Sequence, residues 1–353
     1  MKIALMSGAY VNAGDFLIEQ RSRRILEKNI AHAEVQIYKR NIPYDNQIEE
    51  LNKSDVIVFG GGPGFQNEIY PTKMPFVSDL HKLKTPIAIM GWGWKGKSIF
   101  EKDIYKMSLN EKMKDFLKYA EEVGIPLGCR DWYTVRFLKN QGFEKTVMTG
   151  CPAWYDLEHI ENLHSNKENM KKSNLNICIS DAAFRFNKMH MKPVVTFIRK
   201  KFPDARIQLI FHRGITKEDK YLIEQNFLKE YNLEYQDISG SVDGFKVYES
   251  CDLHIGFRVH AHIYNLSRGN ISILLNEDAR GNGVNDALGL TNIDLNMTRN
   301  CMHQNMGQLI RSIDDYLQYI AETDYLQYDN ACNRLQFYYG NMKNYIKQIE
   351  KYA

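Results

Sequence analysis

An arginine and a histidine two positions apart, Arg258 and His260, lie where a strand pattern gives way to a helical pattern. The strand pattern covers residues 252–255, and an apolar helical run begins at Ile263. In an open α/β sheet, ligands collect at the carboxyl ends of strands, and anions favour the helix N-terminus that follows. A guanidinium and an imidazole at that position suit a substrate that carries phosphate or carboxylate. The alternative is that Arg258 pairs with a structural carboxylate and His260 only caps a helix.

Glycine-rich turns follow three other strand patterns, and their backbone is expected to lie against a ligand or a neighbouring loop. Trp92 and Trp94 alternate within one of these turns, so one ring is expected in the core and the other is a candidate for stacking on a sugar. None of the turns has the G-x-G-x-x-G spacing of a dinucleotide site, and none is a P-loop. Tight packing is the competing interpretation for each turn. The cleft-lining candidates are Asn12, Asp15, Gly61, Gly62, Trp92 and Trp94.

Two further cationic turns stand at predicted strand ends. Arg130 and Asp131 lie between a strand and a helix, where they form either a buried structural pair or a rigid guanidinium with donors left for an anion. His212 and Arg213 follow the strand predicted at residues 207–211, but exposed pairs of this kind are common in loops.

The elements that must position these residues alternate short β-branched runs with helical periodicity, which predicts parallel sheets with crossover helices. A polar stretch at residues 161–174 is the predicted linker. We therefore predict an α/β protein of two Rossmann-like domains, residues 1–165 and 166–305, facing across a cleft, with residues 306–353 as helices that pack back on the first domain. Strands are predicted at residues 3–6, 55–59, 87–90, 125–129, 175–179, 207–211, 252–255 and 271–275, and helices at residues 16–26, 110–122, 132–139, 193–200, 308–320 and 330–349.

Composition narrows the class of protein. The chain has 353 residues, of which 44% are hydrophobic and 25% charged, and a formal net charge of +3, which is too small to indicate a nucleic-acid partner. Six scattered cysteines without C-x-x-C predict neither a zinc site nor a disulfide framework, and favour reduced thiols in a cytoplasm.

No apolar stretch reaches the roughly 20 residues of a membrane helix, and the first residues predict a core strand rather than a signal peptide. We expect a cytoplasmic protein whose membrane contact, if any, is peripheral at the inner face.

Taken in order, these motifs resemble the polysaccharide pyruvyl transferase family over roughly residues 1–290. The matching positions are Gly8, Asn12, Gly14, Asp15, Asp55, Gly60, Gly61, Gly62, Gly91, Gly93, Arg130, Asp131, Leu138, Gly142, Gly150, Pro152, Arg258, His260, residues 271–275, Gly289 and Leu290. Two positions depart from the family pattern. Arg280 stands where the family has lysine, and Cys151 where aspartate is common. Arginine keeps the charge of lysine but not its compact geometry.

The resemblance implies a two-domain GT-B architecture and transfer of the pyruvyl group of phosphoenolpyruvate to a sugar, as a ketal, in a capsule, exopolysaccharide or other cell-envelope polysaccharide or its precursor. It implies His260 and Arg130 as catalytic residues, with His260 as the general acid, and Arg258, Arg280 and Gly256 as donor-binding residues. The first domain would be the acceptor side and the second the donor side. Phosphoenolpyruvate is then a co-substrate, and we expect no other cofactor and no metal.

Two other functions remain open from the sequence. A GT-B glycosyltransferase that uses a nucleotide sugar would hold a diphosphate with the same cations, but no base-binding pocket is evident in the second domain. A carbohydrate- or anion-binding module would keep the fold without turnover, although Arg130, Arg258 and His260 together argue against it. The acceptor sugar, its attachment to a nucleotide or a lipid, and the oligomeric state are not indicated.

Overall fold

The computed structural model describes residues 1–66, 69–96, 101–295 and 305–352. The chain divides into two compact units, which we call the N-terminal unit (residues 1–10, 15–157 and 336–353) and the C-terminal unit (residues 11–14 and 158–335). The first unit ends earlier than the boundary expected after residue 165. Residues 306–335, expected among the helices that pack back on the first domain, belong to the C-terminal unit. Cys301 lies outside the described residues.

Strands and helices alternate along most of both units. The strands are β1 Lys2–Ser7, β2 Glu34–Lys39, β3 Val56–Gly60, β4 Ile87–Met90, β5 Leu127–Cys129, β6 Thr146–Met148, β7 Asn176–Ser180, β8 Arg206–Phe211, β9 Leu233–Asp237, β10 Leu253–Gly256, β11 Ile271–Asn276 and β12 Ile293–Asp294. The helices are α1 Ala13–Asn29, α2 Ile48–Leu51, α3 Glu101–Lys106, α4 Glu111–Glu122, α5 Trp132–Asn140, α6 Met191–Lys201, α7 Gln225–Glu230, α8 Val259–Leu266, α9 Ala279–Leu288, α10 Asn305–Glu322 and α11 Leu326–Tyr352. Among the helices described, none combines the length and apolarity needed to cross a bilayer.

The N-terminal unit is built on a parallel sheet with the strand order β2-β1-β3-β4, beside the parallel pair β5-β6. Every residue of β3 and β4 is buried, which is why these strands read as unbroken apolar runs. The chain leaves β1 towards β2 on one side and returns to β3 on the other. The carboxyl ends of β1 and β3 therefore flank a topological switch point, where open α/β sheets bind ligands.

The C-terminal unit contains a six-stranded parallel sheet with the order β12-β11-β10-β7-β8-β9. The chain runs outward from β7 to β9, then restarts at β10 and runs the other way, so its switch point lies between β7 and β10. Gly256 pairs with Ser180 at the carboxyl ends of these two strands. A Cβ at Gly256 would lie 2.3 Å from Ser180 Oγ, so only glycine permits this approach. The predicted parallel sheets with crossover helices are confirmed.

Candidate active site

Arg258 and Asp181 form a bidentate ion pair at the switch point of the C-terminal sheet. Asp181 follows β7 directly and is buried, and Arg258 is the N-cap residue of α8 after β10. Arg258 Nε donates to Asp181 Oδ1 at 2.8 Å, and Nη2 donates to Oδ2. The side chain of Arg258 is 12% exposed, and within the described residues its Nη1 has no hydrogen-bond partner. The carboxylate thus fixes the guanidinium and leaves N–H groups with which a second anion can bond.

His260 lies in the first turn of α8 and is half-buried. Its ring packs against the backbone of Gly14, where a Cβ would lie 2.0 Å from Nδ1. The segment of residues 11–14 is held in the C-terminal unit by two backbone hydrogen bonds, from Ala13 N to His212 O at 2.9 Å and from Gly240 N to the carbonyl of residue 11 at 2.7 Å. The glycine predicted for a turn therefore has a specific role, because it lets the segment cover the imidazole. Asn12 belongs to the same segment and is half-buried.

Glu277, which sequence reasoning missed, faces the same guanidinium from the end of β11. Its carboxyl group accepts hydrogen bonds from Ala183 N at 2.8 Å, Phe184 N at 3.0 Å and Asn187 Nδ2 at 2.9 Å. Burial raises the pKa of Glu277 to about 7, against the lowering effects of these hydrogen bonds and of the charge on Arg258. The sequence signal was an acidic residue placed directly after an apolar strand.

Arg280 lies next to this group, at the start of α9. Its Nε bonds to both carboxylate oxygens of Asp278, at 2.9 and 2.8 Å, and Asp278 also caps the helix through Arg280 N at 3.0 Å. The charge of Arg280 acts on Arg258, so the two cations belong to one electrostatic cluster. Of the predicted donor-side residues, the structure brings together Arg258, Arg280, His260 and Gly256. Gly256 has a packing role there.

A chain of buried hydrogen bonds lies behind Arg258. Ser180 Oγ accepts from Arg258 N at 3.1 Å and bonds to His254 Nε2 at 2.9 Å. Ser272 Oγ then links His254 Nδ1 at 2.8 Å to His262 Nδ1 at 2.7 Å. Burial lowers the pKa of His262 to about 3 and that of His254 well below its ordinary value, so both rings are neutral. These histidines support the site and do not titrate in it.

His212 is a third buried neutral histidine, at the end of β8. Its backbone N–H donates to Asp181 Oδ1 at 3.1 Å, and its Nε2 bonds to the Tyr248 hydroxyl at 2.7 Å. Burial, followed by the charge of Arg258, holds the pKa of His212 well below its ordinary value. Arg213 is exposed. The cationic turn expected here is therefore a structural support beside Asp181.

Arg130 lies in the N-terminal unit and is only 5% exposed. Its Nε donates to Asp131 at 2.9 Å and its Nη2 to the carbonyl of Trp94 at 3.0 Å, while a Cβ on Gly93 would lie 2.0 Å from its guanidinium carbon. Asp131 also caps α5 through Thr134 N at 2.8 Å. The buried Arg130–Asp131 pair, one of the two alternatives given in the sequence analysis, is thus present. Nη1 has no hydrogen-bond partner in the described ranges, and a donor contact at Arg130 stays a prediction.

The proposed sugar platform at Trp92 and Trp94 needs correction, because both rings are buried in the core of the N-terminal unit. Trp92 stacks on Phe116 with ring centroids 6.2 Å apart, and Trp94 stacks on Phe137 at 5.9 Å. The expected alternation fails because Gly91 adopts a positive φ of 74° and ends the strand before the tryptophans. Neither ring presents a face to a sugar.

Three of the acceptor-side candidates, Asp15, Gly61 and Gly62, lie at the switch point of the N-terminal sheet. Gly61 and Gly62 have positive φ angles of 35° and 86° after β3, and a Cβ on Gly61 would lie 2.9 Å from Cys151 Sγ. Arg40, which the sequence analysis missed, follows β2 and packs its guanidinium on Gly8, where a Cβ would lie 2.7 Å from Nε. Burial lowers the pKa of Arg40, against the opposing effect of Asp15.

No side-chain hydrogen bond of Arg40 is made to the residues that the structure describes. Asp15 is half-buried nearby, and Tyr10 is an exposed ring on the same edge. A guanidinium, a carboxylate and an aromatic ring together supply the donors, acceptors and stacking face that bind sugar hydroxyls and sugar rings.

Comparison with solved structures shows the fold. MnaA of S. aureus, in a co-structure with UDP, matches with a TM-score of 0.59 at 15% identity, covering 100% of this chain and 97% of that one. The UDP-GlcNAc 2-epimerase of Neisseria meningitidis bound to UDP-GlcNAc matches at 0.57 and 12% identity, with 100% of both chains covered. A putative UDP-N-acetylglucosamine 2-epimerase of Listeria monocytogenes matches at 0.56 and 12% identity, covering 94% and 90%. The chain is GT-B-like, as predicted.

A comparison with curated proteins gave no match. The family model for polysaccharide pyruvyl transferase matches residues 12–264, which is more than half of the 353 residues and includes Arg130, Arg258 and His260. This match confirms the resemblance drawn from the ordered motifs. The chain belongs to the polysaccharide pyruvyl transferase family and is a transferase.

Proposed function

We propose that this transferase moves the pyruvyl group of phosphoenolpyruvate onto two hydroxyls of a sugar in a cell-surface polysaccharide or its precursor, with His260 as the general acid. The observation that carries the proposal is the Arg258–Asp181 ion pair at the β7/β10 switch point, with His260 two residues after Arg258 in the first turn of α8. It supplies a fixed cation beside a titratable imidazole, and an enol phosphate with a carboxylate needs both.

Arg258 and Arg280 bind the anionic groups of the donor in this proposal. The ion pair with Asp181 holds Arg258 in one orientation, so little side-chain freedom is lost when the donor binds. Asp278 holds Arg280 in the same way. Two anchored guanidinium groups match the two anionic groups of phosphoenolpyruvate, its phosphate and its carboxylate. The family resemblance is the basis for proposing Arg130, in the N-terminal unit, as a further catalytic residue.

The chemistry begins with transfer of a proton from His260 to the methylene carbon of phosphoenolpyruvate. The methylene becomes a methyl group, and the adjacent carbon becomes an oxocarbenium-like centre that a sugar hydroxyl attacks. A second hydroxyl of the same sugar then displaces phosphate and closes the ketal. One hydroxyl proton restores the acid and the other leaves with phosphate, so phosphoenolpyruvate and sugar give ketal and inorganic phosphate. General acid catalysis of this kind typically contributes about 10²–10⁴-fold in rate.

The acceptor sugar binds, in this proposal, at the edge formed by Tyr10, Asp15 and Arg40 in the N-terminal unit. Arg40 donates to sugar oxygens, Asp15 accepts from sugar hydroxyls, and the exposed Tyr10 ring stacks on a sugar face. We place the enzyme in the cytoplasm, at the inner face of the membrane, where precursors of surface polysaccharides are assembled.

The test is incubation with phosphoenolpyruvate and a panel of free, nucleotide-linked and lipid-linked sugars. Ketal formation is read as an acceptor mass gain together with release of inorganic phosphate. Phosphate release without an acceptor mass gain is hydrolysis and does not count as transfer. Transfer of a sugar from a nucleotide sugar, with no ketal from phosphoenolpyruvate, would support the glycosyltransferase alternative and overturn the proposal.

A further inference from the structure

An apolar groove opens on the C-terminal unit, and none of the site residues assigned above lines it. It has a volume of about 1010 Å³ and lies along α6, between this helix and two short helical turns at Arg185–His190 and Lys217–Leu222. Its apolar lining comes from Met189, Pro193 and Phe197, with Tyr221 and Ile310. No part of the proposed chemistry uses this groove.

Basic side chains surround the apolar lining. Four lining residues are cations and one, Glu218, is an anion. Glu218 is already paired with Arg185 at 2.8 Å, and Lys188 is paired with the buried Asp219. Lys192 and Lys200 are exposed on α6, and neither forms an ion pair with a carboxylate of the described residues. The groove therefore keeps a net positive rim.

Two large apolar side chains are exposed beside the groove. Phe186 is 51% exposed and Met189 is 42% exposed, both on the Arg185–His190 turn. Single exposed apolar residues need no explanation, but two on one turn beside an open apolar groove and a cationic rim form a contiguous amphipathic surface. Side chains of this kind insert among acyl chains while lysines reach the phosphate layer above them.

We propose that this surface, made of the groove, Phe186, Lys192 and Lys200, docks the protein on an anionic lipid bilayer. The positive rim complements the phosphates of anionic lipids, and the carbon-lined groove takes acyl-chain segments. An extended peptide fits less well, because its backbone N–H and C=O groups would lose hydrogen bonds against an apolar lining. The inference stands independently of the donor chemistry, since vesicle binding requires no turnover.

The experiment is vesicle flotation of the full chain with phosphatidylcholine alone and with a mixture containing phosphatidylglycerol. We expect binding only to the anionic vesicles, weakening as salt is added. The double variant Lys192→Gln/Lys200→Gln should bind about 30-fold more weakly, since each lysine near such a surface contributes about a factor of five. The matched control, Lys229→Gln/Lys246→Gln, removes two exposed lysines outside the groove and should bind like the wild type.

A second pair of variants tests the apolar part of the surface. Met189→Ser should weaken flotation, whereas Leu326→Ser, which removes another exposed apolar side chain of the same unit, should not. All four variants should keep pyruvyl transfer to a water-soluble acceptor, which separates this inference from the proposed function. Equal binding to neutral and anionic vesicles, no binding to either, or equal losses in the test and control variants would overturn it. The groove would then be a candidate binding site for an acidic amphipathic helix of a protein partner.

Discussion

Gly14 lies so close to the imidazole of His260 that no side chain fits between them, because a Cβ at this position would be 2.0 Å from Nδ1. The Gly14→Ala variant must therefore displace the ring. A displacement of about 1 Å at a catalytic group can lower the rate about 100-fold, so we expect a loss of kcat of that order. The unfolding temperature should change little, because Gly14 has no positive φ that alanine would strain and the half-buried imidazole can shift.

The control for this prediction is Gly340→Ala, in α11, where nothing lies within 4 Å of the added Cβ. This variant should keep full activity and gain slightly in stability, because alanine favours the helix. Normal turnover by Gly14→Ala would mean that the position of His260 is not set by this contact, or that the ring has no part in the chemistry.

His262 should matter for stability and not for proton transfer. It is buried, bonded to Ser272 Oγ at 2.7 Å and to Asn285 Oδ1 at 3.0 Å, and its pKa is lowered to about 3 by burial. His262→Ala removes the bond to Ser272 Oγ, which keeps its bond to His254 Nδ1, and it deprives the buried Asn285 Oδ1 of its bond to the ring. The free energy of unfolding should therefore fall by about 1–3 kcal/mol or more. Denaturant unfolding measures this. An unchanged midpoint in urea would show that the buried hydrogen-bond chain behind Arg258 contributes little.

Arg258→Lys tests whether the planar guanidinium is required. Lysine keeps the charge near Asp181 but loses the two parallel hydrogen bonds and the Nη1 donors that the proposal assigns to the phosphoenolpyruvate anion. We expect kcat/KM for the donor to fall about 10- to 100-fold, mainly through KM. Arg130→Lys should also lower kcat/KM for the donor if Arg130 contacts it. Near-normal steady-state kinetics in both variants would mean that these arginines only support the fold.

Glu277 should give the stability of the protein a pH dependence. Its pKa in the folded state is about 7, above its ordinary value of 4.5, because burial penalises the carboxylate. A raised pKa contributes stability that is fully present below about pH 4.5 and is lost as the pH rises to about 7, which amounts to roughly 3 kcal/mol. Glu277→Gln removes this titration. Between pH 5 and pH 8, the free energy of unfolding of the wild type should therefore fall relative to that of Glu277→Gln. A difference that stays constant over this range would contradict a raised pKa at Glu277.

Local sequence pattern predicted the elements that carry the site. The strand at residues 87–90 coincides with β4, and the turn between β10 and α8 lies where the position of Arg258 and His260 indicated. Apolar runs and helical periodicity are local properties, so one sequence suffices to find them. β2 was missed, because its residues are only partly buried and its apolar pattern is weak.

The partners of Arg258 were beyond local pattern. Asp181 and Glu277 come from the ends of β7 and β11, far from Arg258 in sequence, and only the strand order brings them beside it. Arg40 was missed for the same reason, since its contact with Gly8 depends on the pairing of β1 with β2. The sequence identifies such residues only as polar groups that follow an apolar strand. This pattern does not indicate which of these residues lie close together in the fold.

The most direct test of the central claim is the reaction of phosphoenolpyruvate with an accepted sugar in D₂O, by the wild type and by His260→Asn. Asparagine keeps a hydrogen bond but cannot deliver a proton. We predict that the wild type forms a pyruvate ketal whose methyl group carries one deuterium, and that His260→Asn loses about 10²–10⁴-fold in turnover while phosphoenolpyruvate still raises its unfolding temperature. A ketal without deuterium in its methyl group, or a His260→Asn variant with substantial turnover, would contradict the account.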